Sequence, residues 1–301
     1  MLHCSRQAVV YEIRYDRDMI PEGVAINPEN GDLFLSSYHK NKIVRYDVET
    51  GVAEDFIESG AFGFKGGVGM MVHDKGLFTL SSERTPSHSS SVLLVFDLGS
   101  RQLLHRYSLQ DTVAHFMNDL AIGPDNSIYI TDTERHRVYK LSYPLGTIST
   151  FLQHESLKYP NGIAISEDGS KLYVDSWTNG IRIVDTASGE ILNGLHGPTV
   201  EYGIDGLKYF RGNLYAIRNG GKDKRKHGLV KIALNMAGDS LGGVTPILLG
   251  HKKMNIPTTF AIDKGYAYIL ANSQLERLDQ EVNLIREPDS LTYTYIIKQK
   301  I

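Results

Sequence analysis

Residues 160–176 read PNGIAISEDGSKLYVDS, and this stretch decides the fold because the chain repeats it. Related stretches begin at residue 21 (PEGVAINPENGDLFLSS), residue 117 (MNDLAIGPDNSIYITDT) and residue 204 (IDGLKYFRGNLYAIRN). Two weaker copies begin at residue 66 (GGVGMMVHDKGLFTLSS) and residue 258 (TTFAIDKGYAYILANS). Each copy contains a short apolar strand, a turn and a second, alternating strand, which predicts six related β units.

The spacing of these copies indicates the architecture. The residues that open the six apolar strands are Glu22, Gly67, Asn118, Asn161, Asp205 and Thr258. They lie 45, 51, 43, 44 and 53 residues apart, and a four-stranded propeller blade takes about 40–50 residues. We therefore predict an all-β chain whose residues 1–301 form one domain, a six-bladed β-propeller with four-stranded antiparallel blades. Two unrelated β-sandwiches would not repeat one pattern in this way.

The fourth copy shows the expected strands of a blade. The apolar residues 162–166 predict an inner strand, KLYVDS from Lys171 a second and IRIVDT from Ile181 a third. The segment GEILNGL from Gly189 predicts the outer strand. At the chain ends, residues 7–14 and 292–297 both have strand character, and the sequence leaves open which of them closes the ring.

Composition excludes some classes of function. The formal net charge of −3 offers no basic excess to neutralise phosphates, so we expect no nucleic-acid partner. No apolar stretch approaches a membrane span, and no signal peptide is evident. The single cysteine, Cys4, forms no intrachain disulfide and fits a reducing compartment. We expect a cytoplasmic protein without a membrane partner; the sequence does not indicate an oligomeric state.

Four of the six strand-opening residues carry side-chain oxygens: Glu22, Asn118, Asn161 and Asp205. Inner strands of a propeller run side by side along the channel, so these residues converge at one channel mouth. Two carboxylates packed together repel each other unless a cation lies between them. Oxygen donors alone suit a hard ion, so we predict Ca²⁺, with Zn²⁺, Mn²⁺ or Mg²⁺ as alternatives. The competing interpretation makes each residue a simple turn former.

The loops at the same mouth supply candidate substrate contacts. These are Tyr38, His115, Arg135 and Trp177. A lone Trp on such a loop serves either as core or as a platform for substrate. Each of the other three has a plain alternative as a solvated loop residue.

These motifs resemble the SMP-30 (regucalcin) and gluconolactonase family, which is related to diisopropylfluorophosphatases and paraoxonases. The similarity lies in Pro21-Glu22-Gly23, Asn118-Asp119, Pro160-Asn161-Gly162 and Asp205-Gly206, and it extends from residue 22 to about residue 273. It implies a six-bladed propeller with a catalytic divalent metal and hydrolysis of lactones or phosphoesters. Glu22, Asn161 and Asp205 resemble the direct ligands, and Asn118 the asparagine at the metal or the substrate.

The predicted reaction is hydrolysis of a small lactone or ester. The metal acts as a Lewis acid. Asp205 is either the general base or the nucleophile, and Asp119 is the alternative candidate for the base. The sugar-lactonase branch often has Trp after the first Glu and Arg before the Asn-Asp pair. Here Val24 and Met117 stand in those regions, which argues against sugar lactones. The alternatives are a phosphotriesterase and a non-catalytic propeller that binds a ligand or a protein.

Overall fold

A computed structural model describes residues 8–85, 88–109, 113–194 and 203–301. Its main sheets form the six predicted blades, so the six-bladed fold is confirmed. Each inner strand contacts the inner strands of both neighbouring blades, which closes the ring.

The strands follow the chain through the blades. Blade 1 holds β2 (Pro21–Ile26), β3 (Leu33–Ser37), β4 (Lys42–Tyr46) and β5 (Ala53–Ile57), and blade 2 holds β6 (Gly67–His73), β7 (Gly76–Thr85), β8 (His88–Asp97) and β9 (Leu103–Ser108). Blade 3 holds β10 (Met117–Ile122), β11 (Ser127–Asp132), β12 (Arg137–Ser142) and β13 (Ser149–Gln153), and blade 4 holds β14 (Pro160–Ile165), β15 (Lys171–Ser176) and β16 (Gly180–Asp185). Blade 5 holds β17 (Ile204–Phe210), β18 (Asn213–Arg218), β19 (Gly228–Leu234) and β20 (Leu241–Leu249).

Blade 6 joins both ends of the chain. Its strands in spatial order are β21 (Phe260–Asp263), β22 (Tyr266–Leu270), β25 (Thr294–Lys300) and β1 (Val9–Ile13). Both candidate terminal segments therefore take part, the N-terminal one as the outer strand and the C-terminal one as the third. Residue 7 of the predicted N-terminal strand lies outside the described residues.

A small excursion leaves blade 6 between β22 and β25. It contains the two-stranded pair β23 (Leu278–Asp279) and β24 (Leu284–Ile285). Four short 3₁₀ turns complete the described structure: Ala61–Gly63, Lys224–Lys226, Leu275–Arg277 and Pro288–Ser290. No described helix has the length and apolar character that crossing a bilayer requires.

The outer edge of blade 4 departs from the expected four strands. Ile191, in the predicted outer strand, forms only an isolated bridge with Val184 of β16. The described part of this blade therefore has three strands, and the last predicted outer-strand residue, 195, lies with residues 196–202 outside the described structure.

Local chemistry explains the tight turn of blade 4. The backbone N–H of Gly169 donates to Ser166 O at 2.9 Å. Gly169 has a φ of 74°, a conformation that glycine adopts without steric cost. The Asp168 carboxylate accepts from the Ser170 N–H at 3.0 Å, which fixes the chain reversal between β14 and β15.

Candidate active site

A β-bulge near the start of each of four inner strands presents the candidate site residue. The register shifts between Pro21 and Gly23, and equivalent shifts follow Met117, Pro160 and Ile204. In these strands the first residue is buried and the second is only partly buried. A bulge re-aims side chains, so the second residue of each strand reaches the channel mouth.

The four bulge residues, Glu22, Asn118, Asn161 and Asp205, line one cavity of about 550 Å³. This volume lies in the range of small-molecule binding sites. Tyr38 and Trp177, which the sequence places on the rim, line it as well. The other lining residues are Arg84, Phe116, Thr133, Glu134, Asn219, Gly221, Lys222, Lys224, His227, Ile256, Leu275 and Gln280.

Glycines allow neighbouring inner strands to approach closely beside the bulges. A Cβ on Gly162 would lie 2.4 Å from Asp205 O, and one on Gly23 would lie 2.1 Å from Val68 O. Contacts this short are incompatible with any side chain, so these two positions require glycine. The close approach brings residues of separate blades together at the channel mouth.

Glu22 and Asp205 form an electrostatically unfavourable pair in the absence of a cation. Burial, followed by the neighbouring Asp205 carboxylate, raises the pKa of Glu22 well above its usual value. Burial raises the pKa of Asp205 to about 7, although hydrogen bonds from Asn219 and Asn161 act in the opposite direction. Both carboxyls therefore resist ionisation in this site.

Asn219 holds the Asp205 carboxylate. Its Nδ2 donates to Asp205 Oδ2 at 2.7 Å and to the carbonyl of Pro257 at 2.8 Å. Both amide hydrogens are thereby used, and within the described structure the buried Asn219 Oδ1 has no hydrogen-bond partner. Asn219 therefore positions the Asp205 carboxylate, and its Oδ1 can still accept a hydrogen bond from a ligand.

Asn118 is fixed through its nitrogen. Its Nδ2 donates to Thr133 Oγ1 at 3.0 Å, and that hydroxyl donates to Pro160 O at 2.8 Å. This bond uses one of the two amide hydrogens and fixes the group, so Oδ1 is the acceptor that Asn118 offers to a ligand.

The donor set fits a hard cation. The buried Oε1 of Glu22 has no hydrogen-bond partner among the described residues, and an unpartnered buried carboxylate oxygen is costly. No group of three or more His, Cys, Asp or Glu that could hold a metal occurs in the described part of the chain. A cation bound here would therefore depend on the amide oxygens of Asn118 and Asn161 as well as on the two carboxylates, a combination that suits Ca²⁺.

Two further carboxyls, those of Asp119 and Asp175, lie near Asp205. Lys208 Nζ is 2.9 Å from Asp119 Oδ2, while Asp119 Oδ1 accepts from the Leu120 N–H at 2.9 Å. Asp119 is buried and does not line the cavity, which disfavours it as the base. Asp175 is fully buried, and neither of its oxygens has a partner within the described ranges. Burial, followed by the Asp205 charge, raises the pKa of Asp175 well above its usual value.

Two predicted rim residues lie elsewhere. His115 is buried in the blade wall, where its Nδ1 is 2.7 Å from Asp132 Oδ2 and 3.1 Å from the Tyr139 hydroxyl. Arg135 does not line the cavity; its backbone N–H donates to Asp132 Oδ1 in the turn, and the adjacent Glu134 lines the cavity instead. These positions correct the expectation that both residues face substrate.

Tyr38 and Trp177 belong to a repeated feature, which we call the backbone clasp. The first residue after the second strand donates its N–H to the carbonyl of the residue just before the inner strand. The pairs are Tyr38 to Ile20, Thr133 to Phe116, Trp177 to Tyr159 and Asn219 to Gly203, at 3.0–3.2 Å. All four donor residues line the cavity. The repeat spacing, applied to this position, is the signal that would have identified Thr133 and Asn219.

The cavity mouth combines apolar walls with charged groups. Phe116, Ile256 and Leu275 add apolar surface to that of Trp177. Arg84 forms an ion pair with Glu134 that spans blades 2 and 3. The excursion from blade 6 supplies Leu275 and Gln280 and is attached to blade 1 by hydrogen bonds between His39 and Asn283.

The fold and cavity define a six-bladed propeller with an oxygen-rich site at one channel mouth. Residues 20–206 match the family model described as SMP-30/Gluconolactonase/LRE-like region. The chain belongs to this family. A search of curated protein sequences gave no significant match.

Solved structures share the fold at low sequence identity. A gluconolactonase from Xanthomonas campestris is 16% identical, with a TM-score of 0.64 over 98% of this chain and 90% of that one. A luciferin-regenerating enzyme is 14% identical, with a TM-score of 0.64 over 98% and 96%. Virginiamycin B lyase from Staphylococcus aureus is 12% identical, with a TM-score of 0.62 over 98% and 99%. At these identities the likeness establishes the fold alone.

Proposed function

We propose that the protein is a divalent-metal-dependent lactonase, with Ca²⁺ as the first choice of ion. The observation that carries the proposal is the convergence of two partly buried carboxyls and two amides on one cavity of a gluconolactonase-family propeller. The repulsion between Glu22 and Asp205 supports it, because a cation would remove the cost of ionising both groups.

Glu22, Asn161, Asp205 and the Oδ1 of Asn118 would hold the ion. When bound, it would supply Lewis-acid polarisation of the substrate carbonyl. Asn219 keeps the Asp205 carboxylate in one orientation, so that this group is positioned to take a proton from attacking water. Trp177 and Phe116 line the same cavity and would offer apolar surface to the bound substrate.

A substrate screen tests the proposal. Protein freed of metal by chelation is assayed against γ- and δ-lactones and a phosphotriester, with Ca²⁺, Mg²⁺, Mn²⁺ or Zn²⁺ restored separately. We expect ion-dependent acid release from lactones. Turnover of the phosphotriester alone would identify a phosphotriesterase, and turnover of neither class with any ion would favour a ligand-binding propeller. A cytoplasmic location stays a prediction from the sequence.

A further inference from the structure

We infer that the substrate of this site has an apolar body and an anionic substituent, and that Lys222 and Lys224 at the cavity mouth bind the anion. This inference rests on the proposed function and extends it to the class of substrate. It begins with the character of the cavity wall.

Much of the cavity wall is apolar. Phe116, Trp177, Ile256 and Leu275 line it together with the ring of Tyr38. The Thr133 hydroxyl is already engaged, since it donates to Pro160 O and accepts from Asn118. The Tyr38 hydroxyl and Asn219 Oδ1 are the buried uncharged lining groups that have no hydrogen-bond partner among the described residues. A sugar lactone would bring several hydroxyls that need partners, and these walls provide few. A substrate with an apolar body fits the lining better.

The mouth carries cationic groups without anionic partners. Neither Lys222 nor Lys224 forms an ion pair within the described part of the chain; Lys224 Nζ donates to the neutral Asn255 Oδ1 at 2.7 Å. The intervening Asp223 is paired with Arg225 at 2.8 Å. By contrast, the Arg84 charge is compensated by Glu134. The two ammonium groups are thus available to a ligand.

The balance of charge links anion binding to the metal. Three cationic side chains line the cavity (Arg84, Lys222, Lys224), and three carboxyls oppose them (Glu22, Glu134, Asp205), so the ionised lining sums to zero. A divalent ion held by Glu22 and Asp205 would bring the net charge of the cavity lining from zero to +2. An anionic substituent would then be attracted at the mouth, and the attraction would weaken with added salt.

Trp177 allows a direct binding test that does not depend on turnover. It is the only tryptophan of the chain and lines the cavity, so its fluorescence reports occupancy. The probes are 4-cyclohexylbutanoate and its neutral amide, titrated with CaCl₂ present. The variants are Lys222→Gln and the double variant Lys222→Gln/Lys224→Gln. Lys226→Gln is the control, because Lys226 lies in the same loop and does not line the cavity.

We expect the carboxylate to bind more tightly than the amide. Each lysine removed should weaken carboxylate binding roughly two- to five-fold, the range for exposed ion pairs, and leave amide binding unchanged. Lys226→Gln should behave as wild type. Equal affinity for the two probes, or carboxylate binding insensitive to both variants, would overturn the inference.

A parallel lactone assay separates the two proposals. If neutral lactones are hydrolysed but the lysine variants bind the carboxylate as wild type does, the lactonase proposal stands and the substrate class is wrong. If no lactone is hydrolysed with any ion, the lactonase proposal fails, while the fluorescence titration still tests the anion site.

Discussion

The Asn219 amide nitrogen lies 2.7 Å from Asp205 Oδ2 and 2.8 Å from the carbonyl of Pro257. Asn219 follows the second strand of blade 5, Asp205 lies in the bulge of its inner strand, and Pro257 precedes the inner strand of blade 6. The orientation of the central carboxylate is therefore set by two adjacent blades. This arrangement makes Asp205 the side chain on which the activity should depend most strongly.

Asp205→Asn should lower lactone hydrolysis at saturating Ca²⁺ by about 10²–10⁴-fold, the range for a lost acid–base group. The substitution preserves shape but removes the negative charge and the proton acceptor. Initial rates of acid release measure the loss. Asp185→Asn is the control, because Asp185 ends β16 and does not line the cavity, and Asn in its place also accepts the Ser188 N–H. Full activity of Asp205→Asn would exclude the assigned role.

Calcium should raise the melting temperature, and Glu22→Gln should diminish the effect. An ion at 100 times its Kd stabilises the native state by about 2.7 kcal/mol if it does not bind the unfolded chain. Removing the charged oxygen of Glu22 weakens binding and hence this gain. Differential scanning fluorimetry with and without Ca²⁺ measures both proteins. An unchanged wild-type melting temperature with every divalent ion would contradict a metal site.

In the presence of chelator, the Asp205 contribution to stability should decline as pH rises. Burial raises the pKa of Asp205 to about 7 and that of Glu22 above its usual value. A carboxyl whose pKa is raised on folding favours the native state below its unfolded pKa, and this stability is lost as pH rises through the folded value. Denaturant unfolding at pH 4.5, 6 and 8 should therefore show that the free energy of unfolding of the wild type falls, relative to that of Asp205→Asn, as the pH rises.

Excess Ca²⁺ should reverse this trend, because the ion binds the deprotonated carboxylates. A difference between wild type and Asp205→Asn that is flat or grows with pH in chelator would refute the buried-carboxyl interpretation.

Gly162→Ala should destabilise the fold and impair the site together. The added Cβ would lie 2.4 Å from Asp205 O and 2.6 Å from Leu207 N, so the inner strands of blades 4 and 5 must separate. Overpacking of this kind costs about 1–3 kcal/mol, and urea unfolding measures it. Gly243→Ala, with no atom within 4 Å of the new Cβ, is the matched control. If Gly162→Ala had the stability and the calcium response of the wild type, the two inner strands would accommodate the added Cβ without cost, and the prediction would be wrong.

Lys208→Met should destabilise the protein more than the double variant Lys208→Met/Asp119→Asn. Removing one partner of a buried ion pair leaves an uncompensated charge, at a cost of about 3–5 kcal/mol. The double variant neutralises Asp119 and should recover part of that loss. Urea unfolding of the two single variants and the double variant gives the coupling; strictly additive effects would mean that the pair does not interact.

The features that the sequence predicted are local ones. Alternation, turn chemistry and repeat spacing predict six blades, and the carboxylate and amide residues at four of the inner-strand openings identify Glu22 and Asp205. The features missed depend on distant contacts. The bond between His39 and Asn283 joins residues 244 positions apart, and Lys208 crosses 89 positions to reach Asp119. His115 was expected at the rim because it lies three residues before Asn118; its contact with Asp132, 17 positions away, leaves no signal in the local pattern.

The backbone clasp separates the placement of site side chains from their identity. Its bonds join main-chain atoms alone, so the residues at its donor positions, such as Thr133 and Trp177, are held at the mouth whatever their chemistry. The same holds for the bulge residue beside each of them. An engineer could therefore exchange side chains at these paired positions to install a different ligand sphere, while the clasp keeps its main-chain hydrogen bonds.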